Sequence, residues 1–165
     1  MKKVSLLILA FIILFGCKDN KNTTVSSYIP ENVNQGVVYD TSNLFTQSER
    51  DSLTQKILDF EKQTTNQAAV LTVDSIPKNE DILYFSTQVA ESWGIGTKEK
   101  NNGLLITISK YDREIAISTG LGTEKTISDY ECQMIIDNIM LPEFKSEMYY
   151  KGVSNALDSL FLLWD

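Results

Sequence analysis

Residues 101–122, NNGLLITISKYDREIAISTGLG, decide the fold because they predict a β-hairpin. Residues 104–109 and 114–119 are rich in β-branched side chains and flank a polar four-residue segment. The first of these strands is almost wholly apolar, which is typical of a strand buried on both faces. Antiparallel pairing across such a turn brings Asn102 close to Gly120. The hairpin therefore predicts a rim of amide and backbone oxygens that suits a ligand, or else two strand ends with ordinary turn residues.

The segments on either side of the hairpin predict strands that alternate with helices. Two apolar strands are expected, at residues 37–39 and 67–73. Four helices are expected: one beginning at the capping box of Thr46 and Glu49, one over residues 81–93, one beginning at the capping box of Ser128 and Glu131 and stopped by Pro142, and one from about Tyr149. Since helices lie on both sides of the strands in the chain, we predict an α/β fold, a three-layer α/β/α sandwich whose mixed central sheet includes the hairpin.

Charge and histidine content narrow the functional class. The formal net charge is −7, and loss of Lys2 and Lys3 with a leader would take it to −9. An acidic chain argues against a nucleic-acid partner, which needs a basic surface. The chain has no histidine, which excludes catalytic mechanisms that depend on histidine and the usual zinc sites. Oxygen ligands remain, and these favour calcium, magnesium or manganese.

The N-terminus resembles a bacterial lipoprotein signal. Lys2 and Lys3 precede an apolar run over residues 4–15, and the run ends in Leu-Phe-Gly before Cys17. We predict a signal peptide over residues 1–16, lipidation of Cys17, a flexible polar tether over residues 17–34 and a folded domain over residues 35–165. A transmembrane anchor is the alternative, although the apolar run is shorter than the roughly 20 residues that span a bilayer.

The folded part resembles the TPM domain family over residues 37–162. No single motif is specific, but the order and spacing of the set hold across the whole domain. The matching pieces are Val38-Tyr39-Asp40 with Leu44, residues 61–73, Trp93-Gly94-Ile95-Gly96, Asn102-Gly103, Asp112-Arg113, Gly120-Leu121-Gly122 with Glu124 and Asp129, and Leu141-Pro142 with Phe144.

The resemblance implies a compact α/β/α domain that is often exported or tethered to a membrane. Members of the family have been described as calcium-binding proteins, as acid phosphatases and as accessory factors in the assembly or repair of membrane complexes. The acidic residue that often precedes Asn-Gly in the family is Asn101 here. This departure removes a formal charge from a cation site.

We predict that five residues form a divalent-cation site, with calcium as the first choice and magnesium or manganese as alternatives: Asp40, Asn102, Gly120, Glu124 and Asp129. The reasoning is that loops at the carboxyl ends of strands gather at one edge of such a sheet. Hard cations need several oxygen ligands, which carboxylates, amides and backbone carbonyls supply. Each residue also has a structural explanation, such as capping a turn or helix, bridging backbone groups or supplying a positive φ.

Other polar and aromatic residues are assigned to structure. We place Asp112 and Arg113 in the hairpin turn, away from the site, and Trp93 in the core. The sequence offers no nucleophile that is obviously activated, and we assign no catalytic residue.

Three functions remain open. The first is a monomeric, lipid-tethered module of the bacterial cell envelope that binds a cation and contacts an unidentified envelope protein. The second is a metal-assisted acid phosphatase acting on phosphomonoesters, in which Asp129 handles protons and Lys98, Lys100 or Lys125 binds phosphate. The third is a structural lipoprotein without a ligand. We favour the first.

Overall fold

The structure is a computed structural model that describes residues 28–164. The predicted signal peptide and Cys17 lie outside these residues. Four strands form one sheet in the order β1-β2-β3-β4: β1 (Val38–Asp40), β2 (Gln67–Val73), β3 (Gly103–Ser109) and β4 (Glu114–Thr119). The pairs β1–β2 and β2–β3 are parallel, whereas β3 and β4 form the predicted antiparallel hairpin. Every residue of β3 is buried, including the polar Thr107 and Ser109, as its almost wholly apolar sequence predicts.

Helices cover both faces of the sheet, and the predicted three-layer α/β/α sandwich with a mixed sheet is confirmed. The helices are α1 (Gln47–Thr64), α2 (Ile82–Trp93), α3 (Asp129–Ile135), α4 (Leu141–Phe144) and α5 (Tyr149–Trp164). One face of the sheet packs against α1, α3 and α5, and α2 alone covers the other. Fully buried leucine and isoleucine side chains at helical spacing anchor α1 and α5 to the sheet: Leu53, Ile57, Leu157 and Leu160. Burial of each contributes about 1.5–3 kcal/mol to the stability of the fold.

Both predicted capping boxes form. The Thr46 hydroxyl accepts from the N–H of Glu49, while the Glu49 carboxylate accepts from the N–H of Thr46 at 2.7 Å. Ser128 and Glu131 repeat the arrangement at the start of α3. Each box satisfies two backbone groups that a helix start leaves free, so local sequence determines where these helices begin.

Pro142 does not stop the third helix, contrary to the prediction. Residues Ile136–Met140 form a wider π-helical turn, and the helical path continues through Pro142 to Phe144. The N–H of Leu141 donates to the carbonyl of Ile136, five residues back. A widened turn ahead of the proline accommodates a residue that has no N–H and whose ring crowds the preceding turn.

The chain reaches β1 alongside α2, at the edge of the core. Within the predicted tether, the described residues 28–34 pack against the domain: Ile29 lies on the α2-side core, and the Trp93 indole donates to the carbonyl of Pro30 at 2.7 Å. The fold therefore includes residues before the boundary expected at residue 35. We call residues 28–37 the strap.

Cys132 is buried on α3, and it is the free cysteine among the described residues. Burial raises the pKa of its thiol to about 11, and the neighbouring carboxylates Asp129 and Glu131 add to the shift. Because the thiolate is the reactive form, we expect Cys132 to resist a maleimide at pH 7.5 in the native protein and to react in denaturant. Mass spectrometry of the Cys17→Ser protein measures this directly; rapid native labelling would contradict the burial.

Candidate functional site

The structure does not bring the five predicted metal ligands together. Asp40 pairs with Thr72 near the carboxyl end of β2, while Gly103, which follows Asn102, pairs with Gln67 at the amino end of the same strand. The two positions are five residues apart along β2, a distance of roughly 17 Å. Asp40 therefore lies at the carboxyl edge of the sheet and Asn102 at the amino edge.

Asp40 has a structural role. Its side chain is fully buried and accepts from the backbone N–H groups of Leu44 and Phe45, at 2.9 and 3.0 Å, and from the Thr72 hydroxyl. The Arg50 guanidinium completes the set with an ion pair of 3.2 Å. These four donors occupy the carboxylate oxygens, and Asp40 thereby fixes the loop that leads into α1.

Asn102 is also saturated by protein groups. Its amide nitrogen donates to the carbonyl of Thr65 at 2.8 Å and to Oδ1 of Asn66 at 3.1 Å. Its Oδ1 accepts from both the N–H and the hydroxyl of Thr97. The side chain is 5% exposed. Asn102 thus bridges the end of α1 to the loop that precedes β3. Its side chain has a structural role, and its amide oxygen is already occupied by Thr97.

The other three predicted ligands share the amino edge with Asn102 but do not enclose a site. Gly120 donates to the carbonyl of Gly103 and accepts from the N–H of Glu124. A Cβ on Gly120 would overlap the carbonyl of Asn101, so this glycine serves close backbone packing. Glu124 and Asp129 are exposed. Among residues 28–164, no group of three or more carboxylate or cysteine side chains is arranged to hold a metal ion.

A cavity of about 810 Å³ lies between the strap and the C-terminal ends of α1 and α2. Two of its polar side chains have partners: Gln67 donates to Glu61 and accepts from the N–H of Gly96, while Asn32 exchanges two hydrogen bonds with Gly36. The side chains of Glu31, Gln35 and Ser92 also line the cavity, and among residues 28–164 they have no hydrogen-bond partner.

The opposite edge of the sheet also has polar side chains that are not saturated by protein hydrogen bonds. The loops that follow β1, β2 and β3 meet there, and we call residues 41–43, 74–76 and 110–113 the carboxyl rim. Backbone hydrogen bonds join these loops: Thr41 donates to the carbonyl of Thr72, Lys110 to that of Val73, and Tyr111 to that of Asp74. Ligands of open α/β sheets bind beyond the carboxyl ends of the strands, so this rim is the natural place for a site.

Ser42 is the feature that distinguishes the rim. It is 3% exposed, its N–H donates to the Thr72 hydroxyl, and its carbonyl accepts from the Lys110 ammonium at 3.0 Å. Its own hydroxyl is buried without a hydrogen-bond partner. Buried polar atoms are almost always paired, so an unpaired hydroxyl at a strand end points to a ligand or a water.

Two carboxylates stand on the same rim. Asp112 accepts from the Ser109 hydroxyl and from the N–H of Ile76 at 2.9 Å. These hydrogen bonds, with one from Ser75, lower the pKa of Asp112, so the group stays anionic at neutral and mildly acidic pH. Asp74 follows β2 directly and is exposed. Carboxylate, hydroxyl and carbonyl oxygens are the donor set that a hard cation prefers.

Asp112 lies in the hairpin turn, as predicted, and away from Asn102, and its carboxylate is on the carboxyl rim. A signal was available. Ser42, Asp74 and Asp112 each come shortly after the end of a predicted strand, whereas Asn102 precedes one. What pattern alone could not show is that the hydroxyl of Ser42 is buried and unpaired.

Comparison with known protein families and solved structures gives the same architecture. The family model of the TPM domain matches residues 38–162. The chain belongs to the TPM domain family. This confirms the resemblance seen in the sequence; no functionally curated protein matches the chain.

Solved structures of bacterial domains share the fold. The TPM domain here is similar to the N-terminal domain of a P. gingivalis protein, with 26% identity, a TM-score of 0.71 and coverage of 78% of this chain and 82% of the other. It is also similar to the BA42 protein of Bizionia argentinensis, with 18% identity, a TM-score of 0.61 and coverage of 76% and 88%. The N-terminal domain of the cg2496 protein of Corynebacterium glutamicum is similar too, with 15% identity, a TM-score of 0.62 and coverage of 82% of this chain and 84% of the other.

The similarity to the last two structures concerns the fold alone.

Among the helices of residues 28–164, none combines the length and apolar character needed to cross a membrane.

Proposed function

We propose that this TPM domain is an accessory module of the bacterial cell envelope, anchored by a lipid on Cys17, that binds a divalent cation at its carboxyl rim. Calcium is the first choice, with magnesium or manganese as alternatives. The observation that carries the cation proposal is the buried, unpaired hydroxyl of Ser42 beside a rim with two carboxylates. Loading the rim would present a charged, ordered surface to an envelope protein.

The rim contains two carboxylates, Asp74 and Asp112, and two basic residues, Lys110 and Arg113, so its formal charge is zero and the cation proposal rests on the carboxylate and hydroxyl oxygens. Asp112 is held in its anionic form, and Asp74 has no basic partner within 4 Å among the described residues. The acidic charge of the whole chain, −7, adds a long-range attraction. Two carboxylates with hydroxyl, carbonyl and water oxygens match sites of moderate affinity, since the tightest calcium sites use more charged ligands.

Thermal unfolding with and without calcium, magnesium or manganese tests the cation proposal. Binding at 100 times the dissociation constant adds about 2.7 kcal/mol to the native state, so the midpoint should rise. We expect Asp74→Asn to lose this rise, because the variant removes one of the two rim carboxylates. The fold should stay intact, since no hydrogen bond to the Asp74 carboxylate is present within residues 28–164. Asp129→Asn, on the amino edge, should keep it.

Two results would decide against this proposal or its placement. No shift with any of the three ions would remove cation binding. A shift that survives Asp74→Asn but disappears in Asp129→Asn would return the site to the amino edge. Because the folded pKa of Asp112 is lowered, this carboxylate stays anionic as the pH falls into the mildly acidic range, so a loss of binding there would not come from Asp112.

One observation favours a phosphatase as the second candidate. The Lys110 ammonium lies on the rim against the carbonyl of Ser42, where it could bind a phosphoryl oxygen. Of the lysines named from the sequence, Lys100 is at the other edge of the sheet, where it binds the Thr65 hydroxyl. Cation-dependent hydrolysis of p-nitrophenyl phosphate that Lys110→Gln abolishes would establish this function; absence of hydrolysis would remove it.

The lipid anchor rests on the sequence before residue 28. Globomycin, which blocks processing of bacterial lipoproteins, should cause the precursor to accumulate, and Cys17→Ser should move the protein from the membrane fraction to the soluble fraction. A Cys17→Ser protein that stays with the membrane would contradict the anchor.

A further inference from the structure

The hydrogen-bond ladder between β1 and β2 stops before β2 begins. Successive residues of a strand direct their backbone groups to opposite sides, so Ala68 points the same way as Val70 and Thr72. The N–H of Val70 donates to the carbonyl of Val37, and the carbonyl of Thr72 accepts from the N–H of Thr41. Within residues 28–164, however, the N–H and the carbonyl of Ala68 have no hydrogen-bond partner. Ala68 is 3% exposed, and backbone groups of buried residues are almost always paired, so this gap points to a ligand.

The strap keeps this gap open. The Asn32 side chain exchanges two hydrogen bonds with Gly36 and so closes a turn just before β1. If β1 continued backwards in the same register, the carbonyl of Gln35 and the N–H of Val37 would pair with Ala68, and neither bond forms. The turn therefore takes the strap away from β2 at the position that a longer β1 would occupy.

The cavity of about 810 Å³ occupies the gap. Ala68 and Ala69 of β2, Leu58 of α1 and Trp93 of α2 line it, and the strap forms the remaining wall. Its volume lies within the range of roughly 300–1,000 Å³ that is typical of ligand pockets. In an antiparallel pair, one residue exchanges both backbone hydrogen bonds with the residue opposite. The free N–H and carbonyl of Ala68 therefore match one residue of an extended peptide added to this side of β2.

The two faces of the sheet determine where the side chains of such a peptide would lie. A residue opposite Ala68 directs its side chain to the same face as Ala68, toward α1, whose Leu58 and Glu61 line the cavity. The residues before and after it direct their side chains to the other face, where Trp93 and Ile95 line the cavity. The central side chain thus meets a carboxylate, and its two neighbours meet an apolar wall.

The charge of the cavity favours a basic central residue. Glu31 and Glu61 line the cavity, and none of the described residues around it is a lysine or an arginine. Neither carboxylate has a basic partner within 4 Å in residues 28–164. Glu61 accepts from the Gln67 amide at 2.8 Å through one of its two oxygens. A lysine side chain would lay its methylene groups along Leu58 and bring its ammonium group to Glu61.

We propose that the gap beside Ala68 binds an extended segment of a partner protein in which a lysine or arginine stands between two apolar residues. The segment pairs antiparallel to β2, in the place that β1 leaves empty. This site lies near the amino end of β2, whereas the carboxyl rim lies at the other end. It is therefore independent of the cation site and of the lipid anchor, and it supplies the module with a contact for a protein.

An NMR titration with the blocked peptide acetyl-Val-Lys-Val-amide tests the proposal on the nitrogen-15-labelled chain from residue 17, with Cys17→Ser. We expect millimolar peptide to shift the amide signals of residues 67–69 and 92–95. The N–H proton of Ala68 should move to lower field, because it gains an acceptor. The signals of the carboxyl rim should stay in place. An absence of shifts at residues 67–69, or shifts confined to the carboxyl rim, would overturn the proposal.

N-methylation of the central lysine of the peptide tests the backbone pairing. The change removes the N–H that donates to the carbonyl of Ala68, so binding should weaken about tenfold or more, the effect of losing one hydrogen bond. Side-chain contacts with the cavity walls do not need this N–H. Equal binding of the methylated peptide would therefore show that no strand is added beside Ala68.

Replacement of the lysine by norleucine tests the charge, because norleucine keeps the methylene groups and lacks the ammonium group. Wild-type protein should bind the lysine peptide more tightly, whereas the double variant Glu31→Gln, Glu61→Gln should bind both peptides equally. The matched control Glu114→Gln, at an exposed carboxylate of β4, should keep the preference for lysine. Equal binding of the two peptides to the wild type would overturn the assignment of a basic segment.

Discussion

Replacement of Asp40 by alanine is expected to lower the free energy of unfolding by about 3–5 kcal/mol, the cost of breaking a buried ion pair from one side. The change leaves the Arg50 guanidinium and the N–H groups of Leu44 and Phe45 without their shared acceptor. Urea unfolding followed by circular dichroism measures this loss. Since Asp40 holds a loop and not a cation, calcium should not alter the difference between the variant and the wild type.

A matched control is Asp158→Ala, which also removes an aspartate paired with a basic residue. Asp158 contacts Lys56 at 2.6 Å, but its side chain is 62% exposed. An exposed pair contributes at most about 1 kcal/mol, so the control should be nearly neutral. An Asp40→Ala protein with wild-type stability and no cation binding would show that Asp40 is a ligand, as the sequence first predicted.

Replacement of Asn102 by alanine is expected to cost about 2–4 kcal/mol, because it removes four side-chain hydrogen bonds and leaves buried backbone partners unpaired. The loss should fall on the junction between the end of α1 and the start of β3. Hydrogen exchange of residues 94–103 should therefore increase more than that of α5. Asn155→Ala, at an exposed position of α5, is the control and should not destabilise.

Asn102→Asp separates the structural role from the metal-binding one. The new carboxylate would face the carbonyl of Thr65 and Oδ1 of Asn66, which now accept from the amide nitrogen. We expect destabilisation that millimolar calcium does not reverse. Rescue by calcium would mean that the amino edge binds the cation after all.

Much of the fold was predictable because it depends on local chemistry. The apolar run of β3, the turn after it and the two capping boxes act over a few residues, and each formed where expected. Pro142 was misjudged because a proline normally ends a helix, and the wider π turn that accommodates it has no comparable local signal.

The candidate site was less predictable, for two different reasons. The separation of Asp40 from Asn102 follows from strand direction: one residue ends its strand, the other precedes its own, and parallel strands put those positions at opposite edges. That inference was available from the sequence. The saturation of both side chains was not, because their partners lie on segments far away in the chain, such as Thr72 for Asp40 and Thr65 for Asn102.

The sequence by itself determined the order of the elements, the hairpin, the family and the acidic, histidine-free character of the protein, since these depend on composition and short-range spacing. Only the tertiary structure decided which polar groups are already satisfied and which remain free. Hydrogen bonds between distant segments satisfy Asp40 and Asn102, whereas the same packing buries the Ser42 hydroxyl without a partner. It is long-range packing, and not residue type, that saturates these two side chains and leaves the Ser42 hydroxyl unpaired.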